Sequence, residues 1–262
     1  MTNQKQHGHT PTDGIRALTR EFAVSSFHSD FTGHLSLNSL FHLFQEIAWE
    51  HAKLNQFGYE NLQEHGFFWV LSRVKVEIDQ LPRWTEAFSL KTWPSGIEGP
   101  FALRDFVVSD EWGKRLVNAT SSWLIVDVKS RRPQRPDVLF SRFPLEDVER
   151  ATSVNAPRLP IPQEAVMRSY DLVTRISDID VNMHVNNTRY IEWAFNAFSQ
   201  EEFKDFTVKK IDINYLSECF FGDNVTIQLI DLHNHEFGVL ITRKSDRKHL
   251  AVVRFLTEQN VK

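Results

Sequence analysis

The amino-acid sequence predicts an α+β protein built twice, as two tandem units that each wrap an antiparallel sheet around a helix. Three observations carry this. Residues 30–41, DFTGHLSLNSLF, recur as DVNMHVNNTRYI at 180–191, an offset of 150 that lays Asp30 on Asp180 and His34 on His184. Both copies lead into segments whose apolar residues recur at i, i+3, i+4 and i+7, the period of a helix with one buried face. Beyond each helix the period falls to two, as in half-buried strands.

The elements follow in order. Residues 1–14, MTNQKQHGHTPTDG, have no apolar stretch like that of a signal peptide and read as a disordered tail. The first unit spans 15–150. Its helix carries the stripe Leu37, Leu40, Phe41, Phe44, Ile47 and Ala48, with Ser36 or Asn38 as N-cap. Val70, Ser72, Val74, Val76 and Ile78 alternate next, and strands are expected at 87–93, 101–109 and 115–128, separated by PSGIEGP and DEWGK. Residues 151–167, with Pro157, Pro160 and Pro162, read as a linker. The second unit, 168–262, has a helix carrying Tyr190, Ile191, Ala194, Ala197 and Phe198, capped by Asn186 or Asn187. Ile211, Ile213 and Tyr215 alternate after it, with further strands expected at 225–231, 237–243 and 249–256. One helix and one meander leave a sheet face open. Joining the two sheets side by side closes both units, giving an intramolecular version of a hotdog dimer, a double hotdog.

The bulk numbers narrow the function. Apolar residues at 41% and charged residues at 24% fit a soluble globular chain. A net charge of −4 argues against a nucleic-acid partner. No run approaches the ~18 apolar residues of a membrane helix. The single cysteine, Cys219, excludes an internal disulfide and fits a reducing compartment, so a cytoplasmic location is expected. With 21 Phe and 7 Trp, the chain can fill a core and still line a cavity.

The stretch DVNMHVNN, at 180–187, places an acid, three amides and a histidine directly before a helix. Asp178, Asp180 and Asn182 imitate positions 1, 3 and 5 of a calcium loop, but Met183 stands where the turn needs Gly and Arg189 where a bidentate Glu is required. No zinc spacing surrounds His184. Neither a metal nor a cofactor is expected. His184, Asn182 and Cys219 are also the residue types of a papain-like triad, which keeps Cys219 as the less favoured, nucleophilic reading.

Four segments carry a family resemblance: DVNMHVNNTRYIEW at 180–193, FFWVLSRVKVEIDQLPRWTE at 67–86, TSSWLIVDVKSRRPQRP at 120–136 and the pair Glu218–Cys219. Over roughly residues 15–260 the chain resembles the acyl-acyl carrier protein (ACP) thioesterases of plants and bacteria. The resemblance implies a double hotdog that hydrolyses the thioester of a finished fatty acyl chain. It implies catalysis in the second unit, on Asp180, Asn182, His184 and Glu218, with the first unit supplying most of the acyl pocket. Without a plastid leader, the bacterial branch is expected. Aligning PRWTE at 82–86 with CFFGD at 219–223 sets Leu81 opposite Glu218 and Pro82 opposite Cys219, so the first unit lacks the acid.

Thioester hydrolysis needs an attacking water, a base and donors for the oxyanion. Glu218 can act as base provided that partial burial lifts its proton affinity toward neutrality. His184 can share the proton transfer, Asn182 can polarise the carbonyl, and Asp180 can orient either. Backbone N–H groups from Val185 to Asn187 are expected to form the oxyanion hole, since a helix start leaves them unpaired. Asn186 and Asn187 are candidate substrate contacts. Arg131 and Arg132, within the cluster Lys129–Arg135, are candidate contacts to acidic ACP, with Lys209 and Lys210 as a second choice. The same fold also hosts acyl-thioester hydratases and dehydratases, and a non-enzymatic acyl-binding protein could keep the pocket alone. Self-association into a homodimer is left open.

Overall fold

The computed structural model describes residues 15–136 and 148–260, so the expected N-terminal tail lies outside the described residues. The first unit comprises β1 (Leu18–Ala23), α1 (Leu37–Leu54), α2 (Tyr59–Glu64), β2 (Phe67–Ile78), β3 (Ala87–Glu98), β4 (Phe101–Asp110), β5 (Arg115–Asp127) and the short β6 (Pro133–Gln134). The second comprises β7 (Val166–Val173), a 3-10 turn at Ile176–Asp178, α3 (Asn187–Phe195), α4 (Gln200–Asp205), β8 (Phe206–Tyr215), β9 (Asn224–Asp231), β10 (Glu236–Arg243) and β11 (His249–Gln259).

All strands belong to one sheet, ordered β1-β3-β4-β5-β2-β8-β11-β10-β9-β7, with β6 paired to β5. Reversing the order exchanges the two units, element for element. They join where β2 pairs antiparallel with β8, from Arg73 opposite Asn214 to Glu77 opposite Lys210. Alternation sorts this seam into two faces. Val74, Val76, Ile211 and Ile213 turn into the common core, while Lys75 and Asp212 alternate to the other face, where both are buried.

Every apolar residue of the α1 stripe is buried, and Phe44 stacks on Phe106 of β4 at 4.7 Å. Ser36 is the N-cap: its Oγ accepts from Ser39 N at 3.1 Å. Removing such a cap costs about 1 kcal/mol. In the second unit Asn186 caps α3. That helix is half the length of α1, and Phe195, Phe198, Phe203, Phe206, Phe237 and Phe255 form an aromatic cluster where α1's counterpart would continue.

The structure corrects several expectations. Strands β1 and β7 precede the helices. They are edge strands, mostly exposed, so neither shows a clean apolar alternation. Helices α2 and α4 have six residues each, too few for a period to show. PSGIEGP is mostly strand, because a register shift between Pro94 and Gly96 lets β3 continue to Glu98. The linker ends at 165, where β7 begins. It lies on the outer sheet face, with Leu159 and Ile161 against Ile230, Leu240 and Val252. Asn214 holds it there, accepting from Leu159 N at 2.8 Å and donating to Pro157 O at 2.9 Å. Among the described residues, no helix is long and apolar enough to cross a membrane.

Candidate active site

The repeated motif folds identically in both units. Asp180 Oδ1 accepts from Asn182 N at 2.8 Å and from His184 N at 3.3 Å, while Asp180 N donates to His184 O at 2.8 Å. Asp30 makes the same three bonds to Thr32 and His34, with the same lengths. Each turn needs one left-handed residue, Gly33 at φ 77° and Met183 at φ 63°. A non-glycine residue there is uncommon, and Met183 holds the conformation because the aspartate fixes both sides of it. Val185 N donates to Cys219 O and Leu35 N to Pro82 O, each at 2.8 Å. These bonds realise the pairing of Pro82 with Cys219, and hence of Leu81 with Glu218.

The loop is anchored to α3 by Asp178. This buried carboxylate accepts from Arg189 and from Arg175 N, each at 2.7 Å, and Asn186 N returns to Asp178 O at 2.8 Å. Asp178 is thereby committed to structure. Neither spacing nor periodicity foretells this ion pair, since Arg189 stands eleven residues on from Asp178, in the first turn of α3.

Tertiary pairing brings His184 and Glu218 together, with Nδ1 4.0 Å from Oε1. The half-buried imidazole packs edge-on against Phe220 at 5.1 Å, which fixes its plane. Glu218 is held from behind by its own carbonyl, which accepts from Arg243 at 3.2 Å. Its side chain is 48% exposed, so the expected burial of this acid is absent in the chain by itself. The Asn182 side chain is exposed, with the aspartate contact made through its backbone.

Cys219 is fully buried and turns away from this pair. Its thiol donates to Asp223 Oδ2 at 3.5 Å, and burial, then the Asp223 carboxylate, pushes it up to about 12. A thiol held protonated is a poor nucleophile. We expect Cys219→Ala to retain most activity and to cost about 1 kcal/mol of stability from lost packing. An acyl group trapped on the chain in quenched turnover, seen as one acyl mass in intact-protein mass spectrometry, would contradict this.

The oxyanion expectation is narrowed. Val185 N is engaged by Cys219 O and Asn186 N by Asp178 O, because the loop uses them to close its own turn. Among the described hydrogen bonds only the Asn187 N–H, at the first position of α3, has no acceptor. The Asn186 side chain is likewise committed, accepting from Thr188 N and Thr188 Oγ1. Asn187 gives its carbonyl to Tyr215 Oη at 3.1 Å, leaving its amide side chain unengaged among the described hydrogen bonds. Arg131 and Arg132 lie in the turn between β5 and β6 of the first unit, where Arg131 stacks over Phe68 at 5.4 Å. Lys209 and Lys210 are ion-paired with Glu258 and Asp212.

The 180–184 loop lies toward the first unit. Helices α1 and α3 pack together, and Phe31, ahead of α1, meets Phe203, beyond α3, at 5.4 Å. The helices therefore run in opposing directions, and the twofold relation of the units sets the 180–184 loop toward the C-terminal half of α1. There Trp69 and Trp123 pack edge-on at 6.4 Å beside Ala52, Phe57 and Ala102, an apolar layer only partly closed.

Fold and site thus define a double hotdog in which one unit retains a histidine–carboxylate pair and the other has lost the acid. Comparison with known proteins gives the family. Residues 16–139 match the acyl-ACP thioesterase N-terminal domain and residues 162–254 the C-terminal domain, so the chain belongs to the acyl-ACP thioesterase family. It is 28% identical over 220 residues to a chloroplastic acyl-[acyl-carrier-protein] hydrolase of Cuphea viscosissima, covering 79% of this chain and 53% of that one. It is 26% identical to oleoyl-acyl carrier protein thioesterase 2 of Arabidopsis thaliana, covering 83% and 66%. The chain thus spans about half to two thirds of the curated relatives it matches. The crystal structure of an acyl-ACP thioesterase from Bacteroides thetaiotaomicron superimposes with a TM-score of 0.82 at 28% identity, covering 93% of this chain and 98% of that one. The 12:0-ACP thioesterase of Umbellularia californica shares the fold, with a TM-score of 0.84 at 20% identity.

Proposed function

We propose that this chain hydrolyses the thioester of fatty acyl-ACP, releasing a free fatty acid and ACP, and so ends chain elongation. The observation that carries this is the meeting of His184 with Glu218 beside a helix start, in one unit only. Glu218 takes a proton from a water as its oxygen attacks the thioester carbonyl. The oxyanion is met by the Asn187 N–H, supported by the positive end of α3, and by the Asn182 amide. The C–S bond then breaks, and the proton held by Glu218 passes by way of His184 to the departing thiolate. Asp180 fixes the backbone that presents both Asn182 and His184. Catalytic hydrogen bonds often tighten only with substrate, and an acyl chain with its carrier arm would cover Glu218 and supply the missing burial.

Release of free thiol from acyl-ACP, followed with a thiol-reactive dye, tests the reading. No thiol release from any acyl length would overturn it, whereas hydration of an enoyl thioester would favour a hydratase. The basic turn at Arg131 and Arg132 is proposed to steer ACP. Reversing both to Glu is expected to raise KM for acyl-ACP and flatten its salt dependence, leaving a small acyl thioester nearly unaffected. Equal loss on both substrates would make the turn structural. A cytoplasmic location, as in a bacterial member, fits the one free thiol.

A further inference from the structure

We propose that the cleft between the linker and the outer face of the sheet is a second ligand site, shaped for a small organic molecule bearing a diphosphate. It is an open cleft of about 530 Å³, lined by Arg73, Glu98, Arg150, Arg158 and residues 153–157. That volume suits a nucleotide-sized ligand and is generous for a simple dicarboxylate. It is separate from the 180–184 loop, which precedes α3 on the inner side of the sheet.

Three arginines and one acid line it, in a chain whose net charge is −4. Their situations differ. Arg150 is committed: it donates to Asp105 Oδ2 at 2.9 Å and to Asn155 Oδ1 at 2.7 Å. Asp105 is fully buried and also accepts from Ala151 N, Ser95 and Thr120, so this knot builds the wall. Glu98, the one acid, accepts from Asn155 at 2.9 Å and belongs to the same wall. Arg73 and Arg158 have no carboxylate within 4.0 Å among the described residues. The Arg73 guanidinium lies 4.8 Å over the Phe101 ring, which holds its plane without neutralising it. Across the β2–β5 ladder from Arg73, fully buried Ser122 carries a hydroxyl with no partner.

A planar guanidinium held flat and left unpaired is preorganised for two parallel bonds to phosphate oxygens. A second one on the facing linker matches the two phosphates of a diphosphate. The linker joins the two units, and Arg73 pairs across the seam with Asn214, which holds Pro157 and Leu159. A bound diphosphate would therefore clamp linker to seam.

Isothermal titration of the full chain with ADP, pyrophosphate and citrate tests this. Saturable binding of ADP and pyrophosphate, weakening with salt and raising the unfolding temperature by a few degrees at saturation, is expected. Arg73→Ala and Arg158→Ala should each weaken it by about tenfold or more, the usual worth of a charge-assisted bond, with hydrolysis of a small acyl thioester unchanged. Both positions retain solvent contact, and unfolding temperatures of the unliganded variants check that each folds. No saturable binding, equal binding by the double variant, or citrate binding as tightly as pyrophosphate would overturn the proposal.

Discussion

Glu218→Gln lowers kcat by ~10²–10⁴-fold, the usual worth of a general base, on acyl-ACP and on a small acyl thioester alike. Glutamine keeps the shape and can still hydrogen bond, but it cannot accept a proton at neutral pH. Because Glu218 is half exposed and is held through its backbone by Arg243, the substitution leaves the fold intact. The loss therefore appears in kcat with little change in unfolding temperature. A loss of tenfold or less would sink the assignment of Glu218 as base. The thiol of Cys219 would not restore it, since burial, and then its partner Asp223, disfavours the thiolate.

His184→Ala removes most turnover, whereas His34→Ala leaves it largely intact. The two loops have matching hydrogen bonds, so backbone geometry does not separate them. Their surroundings do: His184 stands 4.0 Å from Glu218, and Leu81 fills the corresponding position of the first unit. His34 instead contacts Thr32 Oγ1 at 3.0 Å, within its own turn. Its removal should cost only a small amount of stability. Steady-state kinetics on both variants, with unfolding temperatures matched, checks this. Equal losses would show that the two units share the work.

Much of this was legible in the chain. The offset of 150 between Asp30 and Asp180, with the PRWTE and CFFGD alignment, carried enough information to set Leu81 in the place of Glu218 and Pro82 in the place of Cys219 before any coordinates. Local sequence could do so because the motif is a self-contained turn: an aspartate bonding two residues ahead dictates its own geometry. The stripes on α1 and β2 were likewise read directly, since burial on one face imposes a period.

Tertiary structure decided the rest. Whether Asn186 is a substrate contact or a cap depends on how the loop enters α3, and the cap won because Thr188 lies within reach of its amide oxygen. Val185 and Asn186 lost their role as oxyanion donors to Cys219 O and Asp178 O, one of them across the loop contact. The thiol's inertness follows from burial against Asp223, four residues away. The edge strands β1 and β7 escaped notice because an exposed strand has no buried face to impose alternation. Sequence by itself determined the repeated architecture and the residues able to do chemistry, because periodicity and turn chemistry are local. Which of those residues face one another, and which are already engaged, only the folded chain decides, because hydrogen-bonding capacity is finite and its partners are distant in sequence.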